Sequence, residues 1–433
     1  MIKIKEILSR EILDSRGNPT VECEIYLSDS SFGRSSVPSG ASTGKHEAIE
    51  LRDNDKKRYL GKGVLKAVKN ILNIKSKLII REYKDITDFD NFIIEIDGTK
   101  NKSYLGANAT LALSIAFARA LAQHKKLYFF EFLSQNNDFI MPVPLINIIN
   151  GGSHADNNVD IQEFMIAPIG ASSFTKCIRY SSEIFYALKS NLKTKGYNTN
   201  VGDEGGFAPN INSSKETLDL ILESILNAGF KINDEIVLAL DVASTEFYNN
   251  NKYNLIGEKK SLTSDQMIEY LKDLTINYPI FSIEDGMSED DWVGWKNLTE
   301  EIGNKIQLVG DDLFVTNIER LQKGIDEKSA NSILIKLNQI GTISETLAAI
   351  DLAKTNNYSS IISHRSGETE DTTIADLSVS SLSKQIKTGS VSRTDRTCKY
   401  NQLLRIEEIL GKKAKYAGKN ILISWQSQIL FVL

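Results

Sequence analysis

Six short apolar runs in the second half of the chain each lead into a charged or catalytically useful side chain. The residues that close these runs are Asp241, Glu284, Asp311, Lys336, His364 and Lys387. Their successive spacings are 43, 27, 25, 28 and 23 residues, and most of these fit one strand, one helix and two short loops. The runs are rich in β-branched residues, as strands buried on both faces are. Repeated βα units most simply close into a barrel, whose chemistry lies at the C-terminal ends of the strands.

The first part of the chain has a different pattern. Val21–Leu27 alternates apolar and polar residues, which is typical of an antiparallel strand. A helix is predicted over Ala109–Gln123, with Asn108 as its N-cap. Strands followed by helices predict a small α+β domain, which we place at residues 1–135.

The barrel domain is predicted over residues 136–433, since 433 residues exceed what one ordinary core fills. Two prolines in Met141–Pro144 interrupt regular structure at the boundary. The first barrel strands are predicted at Val143–Asn150 and Phe164–Pro168. A later helix is expected over Ile343–Lys354, capped by the preceding Gly-Thr pair. The expected fold class is therefore α/β, an N-terminal α+β cap followed by a TIM-like barrel.

Composition narrows the possible partners and compartments. The net charge of −5 and the pI near 5.7 give no reason to expect nucleic-acid binding. Three widely separated cysteines predict neither a disulfide framework nor a zinc cluster. No segment has a signal-peptide pattern or the ~18 apolar residues of a membrane span. We expect a cytoplasmic protein and leave a cell-surface fraction open. Nine of the thirteen residues from Ile421 to Leu433 are apolar, but this segment is too short to span a bilayer.

Asp241, Glu284 and Asp311 end neighbouring predicted strands, and three carboxylates this close would repel one another. A cation should hold them together, and all-oxygen ligation favours Mg²⁺ over zinc or copper. The alternative is a structural set of salt bridges from these acids to Lys336 and Lys387.

Two loops carry residues suited to anions. Pro38–Lys45 resembles a P-loop, but it has three residues between its glycines instead of four, and His46 follows the lysine. It is either a mobile lid over a site or an ordinary surface turn. Ser363–Gly367 contains an arginine and hydroxyls that suit a phosphate, or else a loop salt bridge.

Two further loops place acids and a histidine beside glycines. His154 follows Gly151-Gly152 at a predicted strand end, where a structural histidine is the alternative to a catalytic one. Asp203 and Glu204 lie among three glycines, either as a solvated turn or as carboxylates held close to a substrate.

At these residues the chain resembles the enolase family over nearly its whole length and in the same order. The glycine after the Glu284-Asp285 pair resembles the bacterial type. The matching segments are Asp14–Thr20, Ser39–Gly44, Gly152–Met165, Gly202–Asn210, Leu238–Phe247, Ser282–Asp285, Gly310–Asn317, Leu334–Gly341, Ser363–Asp371 and Lys399–Glu407.

The resemblance implies a barrel of ββαα(βα)6 topology, a lyase of glycolysis, and the reversible dehydration of 2-phosphoglycerate to phosphoenolpyruvate. It implies two Mg²⁺ ions per active site, one on Asp241, Glu284 and Asp311 and a second helped by Ser42. Lys336 would be the base and Glu204 the acid. The substrate-binding residues it implies are His154, Gln162, Glu163, His364, Arg365, Ser366 and Lys387.

Two rival functions remain open from the sequence. Another Mg²⁺ enzyme of the same superfamily, such as a racemase or cycloisomerase, would share the three acids. A binding or adhesion protein would use the apolar chain end at a membrane or partner surface. The resemblance favours a cytoplasmic homo-oligomer, a homodimer or larger, with no stable membrane span.

Overall fold

The computed structural model describes residues 1–40, 44–134 and 138–422. It consists of a mainly antiparallel N-terminal cap and a closed eight-stranded barrel, as predicted. Ser42 and residues 423–433 of the apolar chain end lie outside the described residues. No helix in the described ranges combines the length and apolar character needed to cross a membrane.

The N-terminal cap is a four-stranded sheet covered by helices. Its strands lie in the order β3-β2-β1-β4, and the first three form an antiparallel meander. Its elements are β1 Ile2–Leu13, β2 Pro19–Leu27, β3 Phe32–Ser36, α1 Leu65–Ile80, β4 Glu82–Tyr83, α2 Ile86–Asp97, α3 Ala107–His124 and α4 Phe129–Leu133. Gly33 lets α3 pack closely on β3, because a Cβ there would lie 2.0 Å from the Ala116 carbonyl oxygen.

The predicted cap of α3 is wrong by two positions. The helix begins at Ala107 after Gly106, so Asn108 lies within its first turn. The Asn108 amide instead accepts from the Leu51 N–H at 3.2 Å and donates to the Leu51 carbonyl at 3.1 Å. A tertiary contact with the preceding loop therefore uses the side chain that the sequence pattern assigned to capping.

The barrel contains the remaining strands and helices, with a small three-stranded sheet inserted after its third strand. The elements are β5 Val143–Asn150, β6 Glu163–Ala167, α5 Phe174–Thr194, α6 Ser214–Asn227, β7 Val237–Asp241, β8 Tyr248–Asn249, β9 Lys252–Leu255, β10 Lys260–Leu262, α7 Ser264–Asn277, β11 Ile280–Glu284, α8 Trp292–Ile302, β12 Gln307–Gly310, α9 Ile318–Glu327, β13 Ser332–Ile335, α10 Leu337–Ile340, α11 Ile343–Thr355, β14 Ser359–Ser363, α12 Thr373–Ser380, β15 Gln385–Lys387 and α13 Thr394–Leu410.

The order of these elements confirms the ββαα(βα)6 topology. Barrel strand β6 runs antiparallel to both β5 and β7, and the other neighbouring strands are parallel. The first residue of β6, Glu163, therefore pairs with Asp241 at the end of β7. Asp241 pairs in turn with Glu284 at the end of β11. The reversed strand thus brings its N-terminal end to the edge where the parallel strands have their C-terminal ends.

The predicted barrel elements are nearly in register with the observed ones. Strand β5 has the predicted bounds, and β6 begins one residue earlier than expected. Helix α11 begins after Thr342, whose hydroxyl accepts from the Glu345 N–H at 3.2 Å. The apolar barrel interior includes Val143, Met165 and Leu334.

A buried acid joins the cap to the barrel. Asp90 on α2 is fully buried and accepts from the Ser344 N–H of α11 at 2.9 Å. Burial raises the pKa of Asp90 to about 6, although hydrogen bonds from Ser344 and Ser114 oppose the shift.

Asp90→Asn should raise the melting temperature relative to the parent protein more at pH 8 than at pH 4. The folded state holds the Asp90 proton more tightly than the unfolded chain, so the parent loses stability between pH 3.8 and about 6. The change amounts to about 3 kcal/mol at most. Thermal unfolding at both pH values measures it, with Asp85→Asn on exposed α2-capping Asp85 as the control. An Asp90→Asn difference that is equal at the two pH values would contradict the shift.

Candidate active site

A cavity opens at the C-terminal end of the barrel, beneath the N-terminal cap. Gly40 and Glu47 of the cap form part of its wall. The predicted site residues that line it are His154, Gln162, Glu163, Glu204, Asp241, Asp311, Lys336, His364, Arg365, Ser366 and Lys387. The structure therefore brings together residues from eight segments that the sequence separates.

Lys387 is the centre of the acidic part of this cavity. Its ammonium nitrogen lies 2.8 Å from Asp241 Oδ2, 2.9 Å from Glu284 Oε1 and 3.1 Å from Glu163 Oε1. All four side chains are almost completely buried. Burial by itself would lower the pKa of Lys387, but the surrounding carboxylates raise it well above its ordinary value. Glu284, which does not line the cavity, is tied to the site through this contact.

Asp311 is held separately from the other two predicted metal ligands. Its Oδ2 pairs with the Lys336 ammonium, and its Oδ1 accepts from Gln339 Nε2 at 2.9 Å. Burial lowers the pKa of Lys336, but the charge of Asp311 more than offsets it and the pKa lies above its ordinary value. The nearby cations Arg365 and Lys387 act in the opposite direction and lower this pKa. The ion pair with Asp311 has the larger effect on the pKa of Lys336 because it is the closest interaction.

The acids fit a bound cation as well as salt bridges to the two lysines. Glu284 Oε2 is buried and has no hydrogen-bond partner among the described residues. Burial and the nearby Asp241 raise the pKa of Glu284 well above its ordinary value, which indicates that Lys387 does not balance the acids fully. Oxygen donors with residual negative charge are what Mg²⁺ prefers.

Two clusters of potential ligands lie within the cavity, each with donor atoms within 4.8 Å of one another. One consists of Asp285, Asp311 and Asp312, and the other of His154, Glu163 and Glu204. Asp285 accepts from the N–H groups of Asp311 and Asp312, both at 2.9 Å. Sequence reasoning assigned no role to Asp285 or Asp312, although both are adjacent to a predicted ligand.

The second cluster forms the acid–base side of the cavity. Glu204 Oε1 lies 3.4 Å from His364 Nε2 and 3.5 Å from His154 Nδ1, and Asn147 donates to Glu204 Oε2 at 3.2 Å. Burial and the neighbouring Glu204 raise the pKa of Glu163 well above its ordinary value. Burial also lowers the pKa of both histidines. Burial would raise the pKa of Glu204, but the neighbouring histidines, Arg396 and Lys387 lower it well below its ordinary value. The cluster therefore favours neutral imidazoles, and Glu163 is the carboxyl group of the pair that holds a proton more readily.

Arg365 and Ser366 lie at another wall of the cavity. Arg365 Nη1 contacts Glu47 Oε2 at 2.8 Å and Asn338 Oδ1 at 3.3 Å, and both ionic partners are buried. Arg16 of the cap approaches Ser366 Oγ at 3.4 Å. Sequence reasoning missed Glu47 and Arg16, since their link to this wall depends on how the cap sits on the barrel.

Gln162 completes the set of predicted residues. Its amide donates to Asp241 Oδ2 at 3.3 Å and its carbonyl accepts from Ser153 Oγ at 2.7 Å. All predicted site residues except Ser42, which lies outside the described part, are thus in or directly against the cavity.

The fold and site define a barrel enzyme in which buried acids, two lysines and an arginine face one polar cavity. Residues 138–424 match the family described as enolase, C-terminal TIM barrel domain, and residues 4–133 match enolase, N-terminal domain. The chain therefore belongs to the enolase family, as the sequence resemblance predicted. This membership supports a lyase of the enolase superfamily.

Lys387→Met should destabilise the metal-free protein by about 3–5 kcal/mol at pH 8, because it leaves buried carboxylates without a counter-charge. The loss should be smaller at pH 5, because a lower pH favours the neutral forms of Glu163 and Glu284, whose pKa values burial raises well above the ordinary value. Chemical unfolding in chelator at both pH values measures this. Lys336→Met, which removes a partner from Asp311 alone among the acids, is the matched control and should lose less.

If Lys387→Met and Lys336→Met lost the same stability at both pH values, Lys387 would not be neutralising the acids in the way that its distances indicate.

Proposed function

We propose that this protein catalyses the Mg²⁺-dependent, reversible dehydration of 2-phosphoglycerate to phosphoenolpyruvate. The observation that carries the proposal is the placement of three chemically different groups around one cavity. A lysine beside an acid, a carboxyl pair with two histidines, and an arginine with a serine occupy separate walls. A phosphorylated hydroxy acid needs a base at the carbon that loses a proton, an acid at the departing hydroxyl and a cation at the phosphate.

Removing the proton beside the substrate carboxylate is the difficult step, because it places further negative charge next to an existing one. We assign Lys336 as the base, and a lysine base working with Mg²⁺ is the pattern already established for the enolase superfamily. Bound Mg²⁺ on Asp241, Glu284 and Asp311 would stabilise the developing charge. Neutralising Asp311 would also remove the interaction that raises the Lys336 pKa.

Departure of hydroxide requires a proton donor, and we assign Glu204 to that role. Glu204 comes from the loop between α5 and α6, far along the chain from Lys336, and contacts His154 and His364. The pKa of Glu163 is raised and that of Glu204 is lowered, so a proton of this pair is held more readily by Glu163, and Glu204 has to receive it before hydroxide departs. That proton is available to the hydroxide when Glu204 carries it.

The remaining residues would bind the substrate. Arg365 and Ser366 would hold the phosphate, and Lys387 the carboxylate. A racemase or cycloisomerase of the superfamily has no use for the phosphate-binding pair, and a binding or adhesion protein has no use for the acid–base pair. Turnover of 2-phosphoglycerate, followed by absorbance of phosphoenolpyruvate, separates all three. We also expect a cytoplasmic homodimer or larger homo-oligomer.

Chelation should abolish turnover and added Mg²⁺ should restore it, because the three acids need a cation to act together. Asp241→Asn should raise the Mg²⁺ concentration that gives half-maximal activity. Glu246→Gln, which changes a cavity carboxylate outside the three acids, should leave that concentration unchanged. Full activity in excess chelator, with no metal found by elemental analysis, would refute the metal assignment.

Loss of the base and loss of the acid should differ in kind. Lys336→Ala should stop exchange of the C2 proton of 2-phosphoglycerate with solvent as well as turnover. Glu204→Gln should still exchange that proton yet form almost no phosphoenolpyruvate, because abstraction precedes departure of hydroxide. Each loss should cost about 10²–10⁴-fold in turnover.

Deuterium incorporation at C2, followed by NMR in heavy water, measures the exchange. Exchange that survives in Lys336→Ala and vanishes in Glu204→Gln would reverse the two roles.

A further inference from the structure

We propose that Arg396 is a positioning residue, which fixes the His364 imidazole in the neutral tautomer with its proton on Nε2 and directs that N–H toward Glu204. The catalytic consequence rests on the proposed function, whereas the tautomer follows from the contacts alone. Sequence reasoning assigned Arg396 no role, and it does not line the cavity.

Arg396 lies in the first turn of α13 and is completely buried. Its Nη1 lies 2.5 Å from His364 Nδ1 and 2.6 Å from the Arg365 carbonyl oxygen. Its Nη2 donates to the Ser366 carbonyl at 2.6 Å and to the Asp203 carbonyl at 3.1 Å. The guanidinium therefore spans the segment that holds His364 and the loop that holds Glu204.

The chemistry of the two side chains determines the direction of the contact. A guanidinium has only N–H donors, and it remains protonated in proteins. His364 Nδ1 must therefore accept, so it carries a lone pair and the ring proton is on Nε2. A doubly protonated ring would place an N–H against the Arg396 N–H at 2.5 Å. Burial, aided by the charge of Arg396, also lowers the pKa of His364 well below its ordinary value.

The consequence appears on the other side of the ring. His364 Nε2 lies 3.4 Å from Glu204 Oε1, so its N–H faces the carboxylate that we assign as the acid. In the opposite tautomer a lone pair would face the carboxylate, and an N–H would face the arginine. Both contacts would be repulsive. Arg396 thus provides the acid with a fixed N–H donor without itself contacting the substrate cavity.

The tautomer can be read directly by ¹⁵N NMR of the free enzyme with ¹⁵N-labelled histidine, because the chain has four histidines. The His364→Gln spectrum assigns the signals of His364. In the parent protein we expect a protonated Nε2 and an unprotonated Nδ1. Arg396→Met should give mixed tautomers or a protonated ring at neutral pH, whereas Arg396→Lys, which keeps a charged donor, should retain the parent signature.

Turnover should follow the spectra. Arg396→Met should lose about 10–100-fold in kcat, the usual cost of removing a group that orients a functional side chain, and Arg396→Lys should lose less. Arg393→Lys is the matched control, since Arg393 also donates to loop carbonyls, at 2.8 Å for Ser15, but has no contact with His364 among the described residues. It should leave the His364 signals unchanged.

Three results would overturn the proposal. The first is a parent protein in which the His364 proton lies on Nδ1 or on both nitrogens. The second is an Arg396→Met protein with the spectrum and the turnover rate of the parent. The third is an Arg396→Met protein that loses turnover but keeps the His364 tautomer of the parent. If Arg396→Met does not fold, the parent spectrum still decides the tautomer, and an Arg396→Lys spectrum with mixed tautomers would also overturn the assignment. Failure of the parent to turn over 2-phosphoglycerate would refute the proposed function and leave the tautomer result intact.

Discussion

The Lys387 ammonium joins the ends of four barrel strands at one point. It contacts Glu163 of β6, Asp241 of β7 and Glu284 of β11, while its own strand, β15, pairs with β5 and β14. Buried carboxylates at this separation would otherwise force one another apart or take up protons. The arrangement of the cavity therefore depends on this one cation, and on any metal ion that shares the acids with it.

Elsewhere in the site, buried charged side chains are also paired with side chains of opposite charge, but some carboxyl groups are not fully neutralised. Lys336 pairs with Asp311, and Glu47 pairs with Arg365, so the proposed base and the proposed phosphate-binding arginine each have a charged partner. Glu284 Oε2 and the raised pKa of Glu163 mark where the balance is incomplete. Those places are the ones that a cation or a transferable proton would fill.

The N-terminal cap contributes to this balance from outside the barrel. Glu47 reaches Arg365 and also accepts from Gln339 Nε2 at 3.4 Å, so it is linked through Gln339 to Asp311. The cap therefore contacts both the anion-binding wall and the acidic wall. The position of the cap on the barrel and the geometry of the site are therefore coupled through these buried side chains.

The sequence by itself determined the fold class and the edge of the barrel where the chemistry collects. A charged residue that follows a buried apolar run lies where the strand ends. Because the C-terminal ends of parallel barrel strands meet at one edge, the repeated pattern identified that edge. Only the tertiary structure decided which of these side chains contact one another. Lys387 meets three acids, and Arg396 meets His364, because barrel closure and the packing of α13 bring together residues that no local pattern connects. Asn108 shows the same limit on a smaller scale, since a contact with Leu51 replaced the capping role that its local sequence favoured.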